Sequence, residues 1–449
     1  MITFAVIARI FSSLLGSSPS NAEMPMPELI DSLIIGGGAS GFFAAIHRAR
    51  NARGRVWIVE KSGQVLSKVK ISGGGRCNVT HNEFIPREFA RNYPRGEMAL
   101  IGPLHRFGPG ETLHFFESLG VQFKTESDGR IFPTTDDSQT IIDALWRAAV
   151  DAGVEVHRSV NARSFRILEP QERPEGWTAG FEVFFADRPP LHVRTLLIAT
   201  GAIRLKSSER LARQENHLFF EAVPSLFAFD CQDRRIEGLQ GLSVENVEVS
   251  SSLLNTHYSG PLLITHRGFS GPAVLRLSAF GARHFFDEDY HFEISINFLP
   301  REKVSQTLES LRLEQANRQI RSRSCFEALP RRLWQRLVTE AGIKENTRWA
   351  ELSTQEAERL LEQLQRAKFK VRGKSTNKDE FVTAGGISTD DVDMRSMESK
   401  HIPGLYFAGE VLNIDGVTGG FNFQNAWTTG YQAGLAMAST YTHTPMEKR

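Results

Sequence analysis

Three glycine-rich stretches carry the residue types that hold phosphates or lie against a flat ligand. The first, Gly36-Gly37-Gly38-Ala39-Ser40-Gly41, has the spacing G-x-G-x-x-G, with Glu60 following at about the 20-residue distance such motifs use. Gly36 would permit the tight turn, Gly38 would let backbone approach a pyrophosphate, and Gly41 would let helix and strand pack closely. The N–H groups at the helix start would meet the phosphates with a partial positive charge. Glu60 would accept from a ribose diol and repel a 2′-phosphate. The competing reading is a structural glycine turn.

The second stretch is Ser72-Gly73-Gly74-Gly75-Arg76-Cys77-Asn78, flanked by Lys68 and Lys70. Three consecutive glycines are costly to order, which makes sense where backbone lies on a flat ring. Arg76 would pair with a phosphate or an anionic reduced ring, or else with a protein acid. Cys77 has no C-x-x-C partner, and a small structural thiol is its plain reading. The third stretch, Asp415 to Gln424, precedes a helix and would aim N–H groups at a polar ring edge. Two apolar strands, Leu196–Gly201 and Leu405–Glu410, end in Thr-Gly and Gly-Glu. Glu410 would accept from ribityl hydroxyls.

In the middle of the chain, Thr265-His266-Arg267-Gly268 combines a titratable base with a cation, so His266 and Arg267 are candidates for proton transfer and carbonyl polarisation. A structural turn is the bland alternative, as it is for His81. No histidine has metal-ligand spacing, and no P-loop, G-x-S-x-G or H-E-x-x-H occurs. Arg318–Arg336 reads as a solvated helical face unless its arginines cluster on one side.

Positioning these residues requires particular elements. Leu29–Ile35, Ser40–Arg50 and Arg55–Glu60 read as a βαβ unit. Helical patterns cover Glu111–Leu119 and Ile141–Ala152. The segments VEVH, SFRI, GFEVFF and LHVRTLLIA between Val154 and Ala199 suggest an antiparallel meander. Short strands continue over 225–300, with a helix at Pro272–Gly281, and 301–368 is helical. A strand at Leu405–Ala408 and a helix near Ala426–Ala438 complete the chain. Parallel-sheet signals at both ends with a different texture between them predict an α/β, Rossmann-like domain, built discontinuously, with an inserted β-barrel-like and helical domain. The expected divisions are 1–27 (leader), 28–222, 223–374 (insert), 375–440 and 441–449 (tail).

The 449 residues carry 53 Lys+Arg against 52 Asp+Glu, a formal charge of +1. That supplies no global field for nucleic acid or anionic membrane, so neither partner is expected. Three scattered cysteines, Cys77, Cys231 and Cys325, make no disulfide scaffold and suggest a reducing cytoplasm. Met1–Met24 is apolar and then Ser-rich, and reads as a disordered or mis-started leader, with a signal or targeting peptide as the alternatives.

The strings IIGGGASG, KISGGGRCNVT, THRGFSGPAVLRLS, FVTAGGIS and MESKHIPGLYFAGEVLNIDGVTGGFNFQNAWTTGYQAG closely resemble the BaiN-like (YhiN or aminoacetone-oxidase-like) bacterial flavoproteins, in order from about Leu29 to Gly434. The resemblance implies that Gly36, Gly38, Ala39, Ser40 and Gly41 hold the FAD pyrophosphate and Glu60 the adenosine ribose. It places Gly74, Gly75, Arg76, Cys77 and Asn78 along the isoalloxazine, Val160 at the adenine, and Ala199, Thr200 and Gly201 as the FAD wall. Gly409 and Glu410 would meet the ribityl chain, and Gly420, Phe421, Asn422 and Phe423 the pyrimidine end; Lys61 and Lys68 complete the cofactor-binding set. One stretch departs from the family: Ala202–Ser208 lacks the glycines that relatives carry after Ala-Thr-Gly.

The function these readings imply is an FAD-dependent oxidoreductase moving a hydride between flavin N5 and a small organic substrate or NAD(P)H. With no second G-x-G-x-x-G, a nicotinamide would dock transiently, or the substrate would reduce the flavin and O₂ reoxidise it. The alternatives are a low-turnover redox sensor using Cys77 and an RNA-modifying flavoprotein.

Overall fold

The computed structural model describes residues 28–202, 211, 213, 216–375 and 382–440. The expected leader and tail, and the glycine-poor segment from residue 203 onward, lie outside the described residues.

Glu28–Ile35 pairs in parallel with Val56–Glu60 on one side and Leu191–Ile198 on the other. Such a strand is covered on both faces, which is why Leu33–Ile35 reads as an uninterrupted apolar run. The sheet continues outward to Glu155–Arg158 at one edge. At the other it adds Leu405–Phe407, then the short antiparallel Glu398–Ser399 and Val392–Asp393. The expected α/β, Rossmann-like class is borne out.

One expectation is corrected. The VEVH segment joins the parallel sheet beside Val56–Glu60 rather than an antiparallel meander. The helix Gln139–Asp151 directly before it supplies a crossover, and a crossover returns the chain parallel. The meander is formed by Ala162–Ile167, Phe181–Phe185 and Leu191–Ile198 alone.

Helix Ala39–Asn51 follows the first glycine turn, and the final helix, Phe421–Ser439, crosses it closely. A Cβ on Gly430 would stand 2.6 Å from the Ser40 carbonyl oxygen, and one on Gly434 2.4 Å from that of Ala44. Those two glycines set the approach of the helices. The last helix starts at Phe421 rather than near Ala426, so Phe421–Phe423 form its first turn.

Six strands close a barrel in the order Ala228–Asp230, Gly268–Ser270, His257–Ile264, Ser243–Ser251, His291–Asn297 and Ala367–Ser375. The last of these went unread in the sequence, although Phe369 and Val371 alternate with lysines at the strand period. It pairs with both His291–Asn297 and Ala228–Asp230 and thereby removes the free edges. Helices Val304–Glu314, Arg331–Glu340 and Thr354–Gln365 lie between the fifth and sixth strands. Phe219–Ser225 and Val382–Ile387, paired antiparallel, carry the chain into and out of this part. The hydrophobic core divides accordingly: one cluster draws on both ends of the chain, and the other runs from Phe227 to Val371.

Candidate cofactor site

Parallel pairing puts the carboxyl ends of four strands on one edge. Ile35 is in register with Val59 and with Ile198, and Ile198 with Phe407. Gly36, Glu60, Ala199 and Ala408 therefore emerge together, at the place where open α/β sheets bind ligands.

The first turn is built as its glycines suggest. Gly36 has φ +120°, and a Cβ there would stand 2.2 Å from the Ala199 carbonyl oxygen. At Gly41 it would stand 2.0 Å from the Gly36 oxygen, whereas at Gly38 it would meet no atom within 4 Å. Two glycines serve packing and the third borders open space. Glu60 accepts from the N–H groups of Gly37 (2.9 Å) and Ser62 (2.8 Å), so its carboxylate is held at the turn. Val160 approaches it through backbone, donating to the Glu60 carbonyl at 2.9 Å. Lys61 is exposed beside it.

Lys68 pairs with Glu410, and a Cβ on Gly201 would lie 3.7 Å from Glu410 Oε2 and 3.9 Å from Lys68 Nζ. Residues 68, 201 and 410 thus converge, a contact with no local sequence signal. Gly409, at φ +77°, packs against Ser40, where a Cβ would stand 2.6 Å from Oγ.

The second and third glycine stretches are tied to each other. With its amide oriented to suit its neighbours, Asn78 accepts from the Gly420 N–H at 2.9 Å and donates to the Thr80 carbonyl at 2.9 Å. A Cβ on Gly420 would stand 2.6 Å from the Thr80 backbone. Tyr93 Oη donates to the Phe421 carbonyl (2.6 Å) and Trp427 Nε1 to that of Val79 (3.0 Å). His81 stacks on Phe421 with Nδ1 3.1 Å from the Gly419 oxygen, a structural role.

Several residues expected to meet the ligand also make contacts within the protein. Arg76 pairs with Glu126 at 2.6 Å and lies over the Phe132 ring, the protein-acid alternative. The Phe421 ring is core, Phe423 stacks on Trp427, and Asn422 closes the loop by bonding both backbone groups of Gly416 at 2.8 Å. Cys77 is fully buried, and burial pushes its thiol up to about 12 despite a hydrogen bond with Ser72. Gly74 and Gly75, both at positive φ, border open space.

His266 and Arg267 are not brought to this edge. They form an exposed turn of the barrel, where Arg267 pairs with Asp230 and His266 has no hydrogen bond among the described residues. Among the described residues there is also no group of three His, Cys, Asp or Glu able to hold a metal, and no helix long and apolar enough to cross a membrane.

FAD can be tested against these residues directly. Thr200 Oγ1, Asn413 Oδ1 and both amide atoms of Asn425 are buried without a partner among the described residues. Unpaired buried polar atoms are costly in a protein interior. Near the strand ends, and beside open glycine backbone, they suit a ligand rich in hydroxyls, phosphates and ring heteroatoms. The residues fit the group.

The comparisons agree. The family model described as HI0933-like protein Rossmann domain matches residues 30–436. A 3-dehydro-bile acid delta(4,6)-reductase of Clostridium scindens is 29% identical over 90% of this chain and 98% of its own. A ribosomal RNA dihydrouridine synthase of Escherichia coli is 28% identical, covering 90% of this chain and 97% of its own. A protein of the same name from Haemophilus influenzae is 24% identical over 92% and 100%. The BaiN-like resemblance carried by the glycine motifs is thereby borne out: the chain belongs to the HI0933-like protein Rossmann domain family.

Proposed function

We propose that this protein reduces a carbon–carbon double bond conjugated to a carbonyl group, with NAD(P)H as the electron source. The observation that carries the chemistry is the single sheet edge where Gly36, Glu60, Thr200 and Glu410 meet beside unpaired buried polar atoms. The substrate class is supported by the full-length relatives, one named for reducing an unsaturated 3-dehydro bile acid and the others for forming dihydrouridine. In both names the product is the reduced form of a double bond in conjugation with a carbonyl. Bound FAD supplies hydride transfer through N5.

The chain's own residues bind and orient. The turn at Gly36–Gly41 and the start of helix Ala39–Asn51 offer N–H groups to a pyrophosphate, and Glu60 offers its remaining lone pairs to a ribose. The first turn of Phe421–Ser439 presents a partial positive charge to a ring that becomes anionic on reduction. Overall, hydride adds to the carbon β to the carbonyl, a proton adds to the α carbon, and NAD(P)H leaves as NAD(P)⁺.

Purified protein should show a flavin spectrum that bleaches anaerobically with NADH or NADPH and returns on adding a cyclic enone but not the saturated ketone. A protein that cannot be reconstituted with FAD, or whose reduced flavin is reoxidised by O₂ alone, sinks the reading. A redox-sensing role for Cys77 is disfavoured, since a buried thiol held near 12 offers almost no thiolate at neutral pH.

A further inference from the structure

The proposed reaction needs a proton for the α carbon. Strand direction alternates in a closed antiparallel barrel. The turn between His257–Ile264 and Gly268–Ser270, which carries His266, is therefore at the end opposite to the one where the chain enters at Ala228 and leaves at Ser375. His257–Ile264 begins at that entry end, with Tyr258 as its second residue. Tyr258 is half-buried, and its ring stacks on Phe280 with centroids 4.8 Å apart and planes at 26°. Phe280 ends the helix Pro272–Phe280 and packs against the hydrophobic cluster built from both ends of the chain. The carbonyl of Ala279 beside it accepts from Arg95 at 2.8 Å, and Arg95 binds Asp415, the first residue of the third glycine stretch. Tyr258 thus stands where the barrel meets the part that carries the glycine stretches.

Arg276 lies one turn before Phe280 on the same face of that helix. Its Nε is buried without a partner, and neither Arg276 nor the Tyr258 hydroxyl makes a hydrogen bond or ion pair among the described residues. A buried guanidinium N–H with nothing to bind is costly unless the oxygen of a ligand completes it. Burial pushes the Tyr258 phenol up to about 12, and the Arg276 charge opposes that rise. The phenol therefore keeps its proton across the neutral range, with a cation near enough to steady the phenolate. Tyr290, just before the strand His291–Asn297, is enclosed in the barrel's core, with Lys374 Nζ 3.4 Å from its ring centre.

We propose that Tyr258 is the acid that protonates the α carbon and that Arg276 holds the substrate's carbonyl oxygen through Nε. The assignment rests on the reading that the substrate is an unsaturated carbonyl compound. NAD(P)H supplies the hydride that ends on the β carbon, and the π electrons move toward the carbonyl oxygen, where the guanidinium meets the developing charge. The α C–H bond forms as the Tyr258 O–H bond breaks. Water returns a proton to the phenolate, and NAD(P)⁺ leaves.

The test uses the flavin-loaded full chain, reduced anaerobically with NAD(P)H and then mixed with 2-cyclohexenone or with 1-nitrocyclohexene. The nitroalkene is the control, because hydride addition turns it into a nitronate that is stable without an acid. Tyr258→Phe keeps the ring and is expected to leave Tm and the rate of flavin reduction unchanged. It should slow reoxidation by the enone at least about 100-fold yet match the wild type with the nitroalkene, releasing free nitronate that is read by its ultraviolet absorbance. Arg276→Met should slow reoxidation by both compounds about 100-fold, since each gathers negative charge on oxygen. A Tyr258→Phe protein that the enone reoxidises at the wild-type rate overturns the acid, and so does equal slowing with both compounds, the mark of a structural role. Wild-type rates in Arg276→Met overturn its contact with the carbonyl. Either result leaves the reductase reading standing. A wild type whose reduced flavin no enone reoxidises overturns that reading and the assignment with it.

Discussion

Gly36 and Gly38 stand two residues apart, yet a side chain would fail at them for different reasons. At Gly36 an added Cβ meets the Ala199 backbone at 2.2 Å and φ is +120°, so Gly36→Ala should lower stability by about 2 kcal/mol or more, read as a fall in Tm of the apoprotein. At Gly38 the backbone is extended (φ −91°, ψ −171°) and the space is open. Gly38→Val should therefore leave the apoprotein's Tm within a few degrees of wild type and abolish the flavin spectrum. Equal loss of stability in both variants would mean that Gly38 serves packing as Gly36 does. Cys77 gives a second contrast at this scale. Its buried thiol should resist iodoacetamide in the native protein at pH 8, and labelling at the rate of a free thiol would sink that assignment.

At the scale of elements, the crossing of Ala39–Asn51 by Phe421–Ser439 holds the glycine turn in place. Gly434→Val should cost about 3 kcal/mol in chemical denaturation, because the Ala44 carbonyl and the helix behind it cannot yield to a side chain. The same helix pair contains a proton-linked weakness. His47 sits among the rings of Phe43, Phe107, Phe115 and Tyr431 with Nε2 unpartnered, and burial, then Arg50, lowers its pKa to about 3. A histidine neutral in the fold and titrating near 6.5 in the unfolded chain makes stability fall as pH drops below about 6.5 and continue falling toward 3. From pH 7 to 5 the loss should be on the order of 1–2 kcal/mol. His47→Phe should flatten that part of the profile, and a variant with the wild-type slope would show that other groups dominate it.

At the scale of the whole molecule, a buried ion pair joins residues far apart in the chain. Arg95 binds Asp415, which is fully buried and also accepts from Ser225 Oγ at 2.9 Å, and Arg95 reaches the Ala279 carbonyl at 2.8 Å. Burial raises the Asp415 carboxyl above its ordinary range, and the Arg95 guanidinium opposes that rise. Arg95→Ala leaves an unpaired buried acid and should cost about 3–5 kcal/mol. It should also expose the paired strands Phe219–Ser225 and Val382–Ile387 to limited proteolysis; an unchanged cleavage pattern would show that the two parts are held together elsewhere. By itself the sequence determined what local spacing can express. G-x-G-x-x-G after an apolar run sets a turn whose sterics are internal, and Glu60 follows at the distance that one βαβ unit imposes. Period-2 and period-3.6 patterning placed most strands and helices, and Ala367–Ser375 carries the same period-2 alternation, with Phe369 and Val371 inward and Lys368 and Lys370 outward. Tertiary structure alone decided which distant groups meet: Lys68 with Glu410, Arg76 with Glu126, and Asn78 with Gly420, while His266 lies on an exposed turn of the barrel. Those pairings are set by strand register and helix crossing over long stretches of chain, and no run of adjacent residues encodes them.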